Sequence, residues 1–213
     1  MRQGIAGGFS LLALSYLSNR KYLWYLICVL VAASFHVIAV VSLAIFPFRN
    51  LKWDRKYLVF VAIGLVLAVF IDVISLVLLE LKQISVIFWR IYLYVQSNTS
   101  ELKVISWMYL STISLISLSI YFVDSIRMKY QHIDLVLSFI LLGMFGVLLS
   151  QELPLLAIRL GFVFFVAEPV LIMALLTLWK DEYPKAILVS LFAVLVLAKN
   201  IYITSKFLSP YFY

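Results

Sequence analysis

The sequence predicts an all-α fold: a polytopic transmembrane helix bundle with about six to seven membrane helices and one interfacial helix. Three observations predict it. Hydrophobic residues make up 65% of the 213 and charged residues only 13%, too little polar surface to coat a soluble globule of this size. A hydrocarbon core of about 30 Å takes roughly 20 apolar residues per helical span, and charge-poor runs near that length recur along the chain. Aromatic residues mark the ends of those runs: Tyr22, Trp24 and Tyr25; Phe46, Phe48, Trp53 and Tyr57; Trp107 and Tyr109; Trp179 and Tyr183. Headgroup depth suits all of them.

The first run, Gly4 to Ser18, is about 15 residues or roughly 22 Å of helix. It spans only with Met1 to Gln3 and Asn19 added, or by local thinning of the bilayer. Arg2 and the apolar stretch behind it have the outline of a signal peptide, but Ser18-Asn19-Arg20-Lys21 lacks a small-residue cleavage site, so the segment reads as a retained helix. Tyr22 to Phe48, Tyr57 to Leu79, Val104 to Val123, Ile133 to Ser150, Pro154 to Trp179 and Ala186 to Tyr202 are the further candidates. Pro154 and Pro184 stand where first-turn prolines open helices. Residues 80–103 differ, being polar at intervals, with Ile84, Ile87, Phe88, Ile91 and Val95 at helical spacing. That pattern predicts an interfacial or external segment lying on the bilayer. No fixed-period repeat is visible, so residues 1–213 form one transmembrane domain.

One cysteine, Cys28, and two histidines, His36 and His132, cannot assemble a zinc, haem or iron-sulfur ligand set. The net charge of +7 is scattered through the connectors rather than gathered in a stripe, which argues against nucleic acid and for membrane lipids as partners.

Six positions carry charge, or potential charge, where apolar residues would cost less: Arg2, His36, Asp72, Arg159, Glu168 and Lys199. An ionisable group deep in a bilayer costs at least a few kcal/mol, which makes each a functional candidate. His36 lies central in its run, and a neutral imidazole there needs only one polar neighbour. Asp72 should be protonated or paired with a cation, and pairing with Lys199 or Arg159 is a structural alternative to chemistry. Arg159 lies inside the sixth run and presents a donor fork suited to phosphate. Glu168 precedes Pro169, which should kink the helix near its middle. Nine residues at 100° each set Arg159 and Glu168 on opposite faces. Lys199 is close enough to its helix end to snorkel.

The segment Arg2-Gln3-Gly4-Ile5-Ala6, followed by Ala32-Ala33-Ser34-Phe35-His36-Val37-Ile38-Ala39 and later by Ala157-Ile158-Arg159-Leu160-Gly161-Phe162-Val163-Phe164-Phe165, resembles the EpsG/Wzy group of bacterial exopolysaccharide and O-antigen polymerases. The resemblance covers the chain but only the later part of the group's architecture, since members carry several helices and an acidic motif ahead of the Arg-Gln block. It implies the C-terminal part of a longer polymerase in the bacterial inner membrane. The substrate implied is a polyprenyl-diphosphate-linked oligosaccharide, and further polysaccharide assembly proteins are implied as partners. By the resemblance, Arg2 and Arg159 bind diphosphate and His36 orients or deprotonates the acceptor hydroxyl, with Gln3, Asp72, Glu168 and Arg90 completing the substrate contacts. No cofactor or metal is needed in this scheme. A flippase or transporter for lipid-linked sugar would use similar intramembrane groups, though an internal repeat would favour it. A non-catalytic assembly subunit is the third class.

Two topologies fit. If every run crosses once, Arg2, Arg49, Lys52, Arg55, Lys56, Arg127, Lys129, Lys180 and Lys185 share a side against Arg20, Lys21, Lys82, Arg90, Lys103, Lys199 and Lys206. That bias is weak, and it separates Arg2 from Arg159. If Tyr22 to Phe48 breaks near His36 and returns, Arg20 and Lys21 join the basic side and Arg2 leaves it, which strengthens the positive-inside bias. The return would also put Arg2 and Arg159 on one face, although no Gly or Pro marks a break.

Overall fold

A computed structural model describes residues 2–70, 110–150 and 154–178. Among the described residues every regular element is helical. In chain order they are α1 (Arg2–Ser18), α2 (Tyr22–Phe35), a 3₁₀ arm (Val37–Asn50), α3 (Tyr57–Phe70), α4 (Leu110–Tyr121), α5 (Val123–Arg127), α6 (Ile133–Leu149), α7 (Pro154–Phe164), a 3₁₀ link (Phe165–Ala167) and α8 (Glu168–Leu176). The interfacial segment expected at 80–103, the run Ala186 to Tyr202, and Asp72, Arg90 and Lys199 lie outside the described residues.

Helix α1 buries Ala6, Gly7, Ser10, Ala13, Leu14 and Leu17, a stripe at helical spacing. It ends in a Schellman turn. The Lys21 amide donates to Tyr16 O at 2.9 Å and the Arg20 amide to Leu17 O at 3.0 Å, while Arg20 takes the left-handed conformation at φ 58°. Glycine is usual there, so Arg20 carries a steric cost of roughly 1–2 kcal/mol to reverse the chain so tightly. Helix α2 returns antiparallel, pairing Tyr16 with Trp24 at a ring separation of 6.0 Å.

The 27-residue apolar run does not cross as one helix. His36 is extended (φ −151°, ψ 106°) and ends α2, after which the chain folds back along it. Tyr25 Oη donates to Ser42 O at 2.8 Å, and the Tyr22 and Phe46 rings meet edge-on at 5.5 Å. The rise of each helix type explains the register: 14 residues of α-helix and ten of 3₁₀ helix each cover about 20 Å, so Tyr22 and Phe46 end level. No glycine or proline is needed at the break because extended backbone suits any residue.

Polar side chains line the seam of this hairpin. Ser42 Oγ reaches Ser10 Oγ of α1 at 3.4 Å, buried between the three elements. Tyr25 was expected at headgroup depth. Instead it is 1% exposed, because its hydroxyl is needed inside the hairpin.

Helix α6 is central, with twelve of its seventeen residues buried. Helix α7 runs antiparallel to it, and glycines set the approach. A Cβ on Gly143 would stand 2.1 Å from Phe164 Cβ, whereas one on Gly146 would meet Leu160 Cδ1 at 3.6 Å. The expected kink appears as the 3₁₀ link, after which α8 opens on Glu168 with Pro169 in its first turn. Val166 of that link packs on α1, 3.3 Å from where a Cβ on Gly7 would sit.

The segment Arg159–Leu176 is long and apolar enough to cross a membrane, and Tyr22–Phe35, Val37–Asn50, Thr112–Tyr121 and Ile133–Leu149 are shorter apolar helices. Leu23, Trp24, Leu30, Val37, Val59 and Ile63 all stand more than half exposed. An apolar exterior of this kind suits lipid better than water.

Candidate functional site

Gln3 and His36 are brought together across 33 residues. Helix α1 starts beside the tip of the α2/3₁₀ hairpin, and Gln3 Nε2 lies 3.3 Å from His36 Nε2. Both side chains are half-buried. Gln3 continues the buried stripe of α1 by one turn, which is why it faces inward while Arg2 is exposed.

Arg159 comes from α7, five residues after its opening proline, or about 7 Å along the axis. Its charge reaches His36. The side chain is half-buried, and among the described residues no carboxylate pairs with it. Helix α1 packs on α7 and, through Gly7 against Val166, on the link that follows it; Arg2 opens α1 one residue before Gln3. The hairpin reversal thus sets Gln3 and His36 in contact, and turns the chain so that Arg2 and Arg159 belong to the same end of the bundle as that pair.

This arrangement is a cationic corner with one imidazole in it. Its guanidiniums can take phosphate oxygens, Arg159 through a planar fork, and the first-turn amides of α1 add a positive dipole end. The imidazole can exchange a proton. Among the described residues no group of three or more His, Cys, Asp or Glu side chains could hold a metal ion.

Glu168 sits elsewhere. It is buried at the start of α8, nine residues or about 13 Å of helix beyond Arg159, and accepts a hydrogen bond from Thr112 Oγ1 of α4. Its visible work is joining two helices.

The opposite end carries a second polar cluster that the sequence did not reveal. Arg127 donates from Nε to Asp134 Oδ2 at 2.8 Å and from Nη2 to Asp134 Oδ1 at 2.7 Å, a two-pronged pair. It also reaches Trp53 O at 2.6 Å and Asp124 Oδ1 at 2.8 Å. The bond to Asp134, with burial opposing, pushes the Arg127 guanidinium above its ordinary value. Trp53 completes the clasp, its backbone amide donating to Asp134 Oδ1 and its indole to Ser138 Oγ, each at 2.9 Å. Lys129 caps Thr177 O at the end of α8.

Arg20, Lys21, Arg49, Lys52, Arg55, Lys56, Arg127 and Lys129 all belong to this end. Contacts tie its connectors together: Arg49 lies 5.7 Å over the Tyr22 ring and Arg55 lies 5.0 Å over the Tyr121 ring.

Comparison with known proteins gives one finding of kinship. No curated protein and no solved structure matches the chain. The family model described as EpsG family matches residues 1–213. The chain belongs to the EpsG family.

Proposed function

We propose that this membrane protein joins polyprenyl-diphosphate-linked oligosaccharide units into an exopolysaccharide. Membership of the EpsG family suggests a polysaccharide polymerase-like role. The observation that supports the specific chemistry is the meeting of Gln3 and His36 from separate elements, at the end of the bundle that also holds Arg159.

In this reading Arg159 and Arg2 hold the diphosphate of the donor, neutralising charge that grows as it leaves. His36 takes the proton from the acceptor hydroxyl. The hydroxyl oxygen bonds to the donor's anomeric carbon as that carbon's bond to the diphosphate breaks. The half-buried settings of Arg159 and His36 strengthen their contacts by keeping bulk water away.

The test is reconstitution of the full chain in liposomes with lipid-linked repeat units, reading product length on gels. His36→Gln should insert normally and lose about a hundredfold or more in rate, the range for removing a general base. Wild-type ladders from that variant would remove His36 from the chemistry. Lipid-linked units crossing the bilayer without any ladder from the wild type would favour a flippase instead.

A further inference from the structure

We infer that Gln3 is a positioning residue that decides which ring nitrogen of His36 is basic. The inference rests on the reading of His36 as the group that takes the acceptor's proton.

His36 belongs to neither arm of the hairpin and has an extended backbone. No helical turn therefore fixes its ring, and the carboxamide 3.3 Å away does so from α1. A neutral imidazole carries one N–H and one bare nitrogen. When the amide nitrogen of Gln3 faces Nε2, the carboxamide donates to Nε2 and the ring proton sits on Nδ1. The only free lone pair is then capped, and the ring cannot act as a base.

The terminal torsion of glutamine is broad and roughly two-fold, so the carboxamide can turn over in place. Oε1 then accepts from Nε2–H, and Nδ1 is bare. In that state Nδ1 takes the hydroxyl proton while the acceptor oxygen bonds to the anomeric carbon, and the diphosphate leaves with the electron pair of the broken bond. The Nε2–H to Oε1 bond survives the transfer and stabilises the imidazolium. Such support matters here because, among the described residues, the charged group whose field reaches the ring is another cation, Arg159 of α7, with Arg2 one residue from Gln3 on α1. A carboxamide is suited to this role because it offers both a donor and an acceptor from the same position.

Two histidines in the whole chain make the idea directly observable. His132 is exposed and precedes α6 at the far end of the bundle, so a His132→Gln background leaves one ring to follow. Histidine labelled with ¹⁵N, in the full chain in lipid nanodiscs at a pH where the ring is neutral, reports the tautomer from its nitrogen shifts. The wild type should show mainly the Nδ1–H form. Gln3→Glu, which can only accept, should convert His36 to the Nε2–H form. Gln3→Leu should give a mixture and lower the polymerisation rate roughly ten- to a hundredfold with little change in KM, as lost orientation of a catalytic imidazole does.

Identical tautomer ratios in all three proteins would overturn the proposal. A change confined to KM would also overturn it, by making Gln3 a substrate contact. The spectra need no turnover, so a tautomer that follows Gln3 supports the positioning role even if His36→Gln polymerises normally. In that case the reading of His36 as base fails by itself.

Discussion

A guanidinium set five residues into an apolar helix lowers its cost either by pairing with an acid or by serving an anion brought to it. No described carboxylate pairs with Arg159, and its charge acts on the His36 ring. Arg159→Lys separates charge from geometry. Lysine keeps the cation but loses the planar fork that contacts two phosphate oxygens at once. Charge-assisted bonds are worth about 1.5–3 kcal/mol each, so the expected loss is roughly ten- to a hundredfold in rate at normal abundance. Wild-type product ladders from Arg159→Lys at matched protein levels would rule out a diphosphate fork. His36, Arg159 and Arg2 were legible in the sequence because an ionisable residue stands out in an apolar run. The Arg127–Asp134–Trp53 clasp was not legible. Its partners lie 74 and 81 residues apart between Trp53 and the other two, and each sits near a run end, where charge and tryptophan are ordinary. Only the fold shows that they touch.

At the scale of elements, periodicity explains both the hairpin and its tight neighbours. The second arm buries Ala39, Ser42 and Ile45, every third residue, with His36 one step earlier. A 3₁₀ helix eclipses side chains at i and i+3 and so makes one straight narrow stripe of them, whereas an α-helix would let the stripe drift. The β-branched Val37, Ile38, Val40, Val41 and Ile45, with Pro47 inside the arm, also weaken the α-helical alternative. The sequence left one crossing and a return both open because hydrophobicity alone does not distinguish them. The threefold spacing of small and polar residues is the signal that bears on it. Between α6 and α7 the decisive feature is size. Gly143→Ala and Gly146→Ala gain the same intrinsic helix propensity, up to about 1 kcal/mol, but only the first drives a Cβ into the anchored Phe164 Cβ at 2.1 Å. We expect Gly143→Ala to lose about 1–3 kcal/mol by overpacking, seen as a lower Tm in detergent. Gly146→Ala should match or exceed the wild type. Equal Tm values for the pair would show that the helices can separate cheaply at that point.

Over the whole molecule, charge and chemistry divide between two ends. Eight described Lys/Arg residues, Arg20, Lys21, Arg49, Lys52, Arg55, Lys56, Arg127 and Lys129, belong to the end holding the Asp134 clasp, while Arg2 and Arg159 belong to the end holding His36. Positively charged connectors stay in the cytoplasm, and the bias counts most in short connectors such as these. The return at His36 produces this division, since it moves Arg2 away from Arg49 and its neighbours. The basic end should therefore be cytoplasmic and the candidate site should open toward the other face. Single cysteines at Asn50 and Gly4 test the assignment, because Asn50 is exposed at the basic end and Gly4 is exposed beside Gln3 with nothing within 4 Å of an added Cβ. The native Cys28 is buried and gives little background, which a Cys28→Ser variant would remove. In sealed right-side-out vesicles, Gly4→Cys should react with a membrane-impermeant maleimide and Asn50→Cys should react only after the membrane is opened. Labelling of both in sealed vesicles would put Gly4 and Asn50 on one face, as a single crossing by Tyr22 to Phe48 requires and the hairpin forbids. Labelling of Asn50→Cys alone would invert the protein and place Arg2, Arg159 and His36 on the cytoplasmic side.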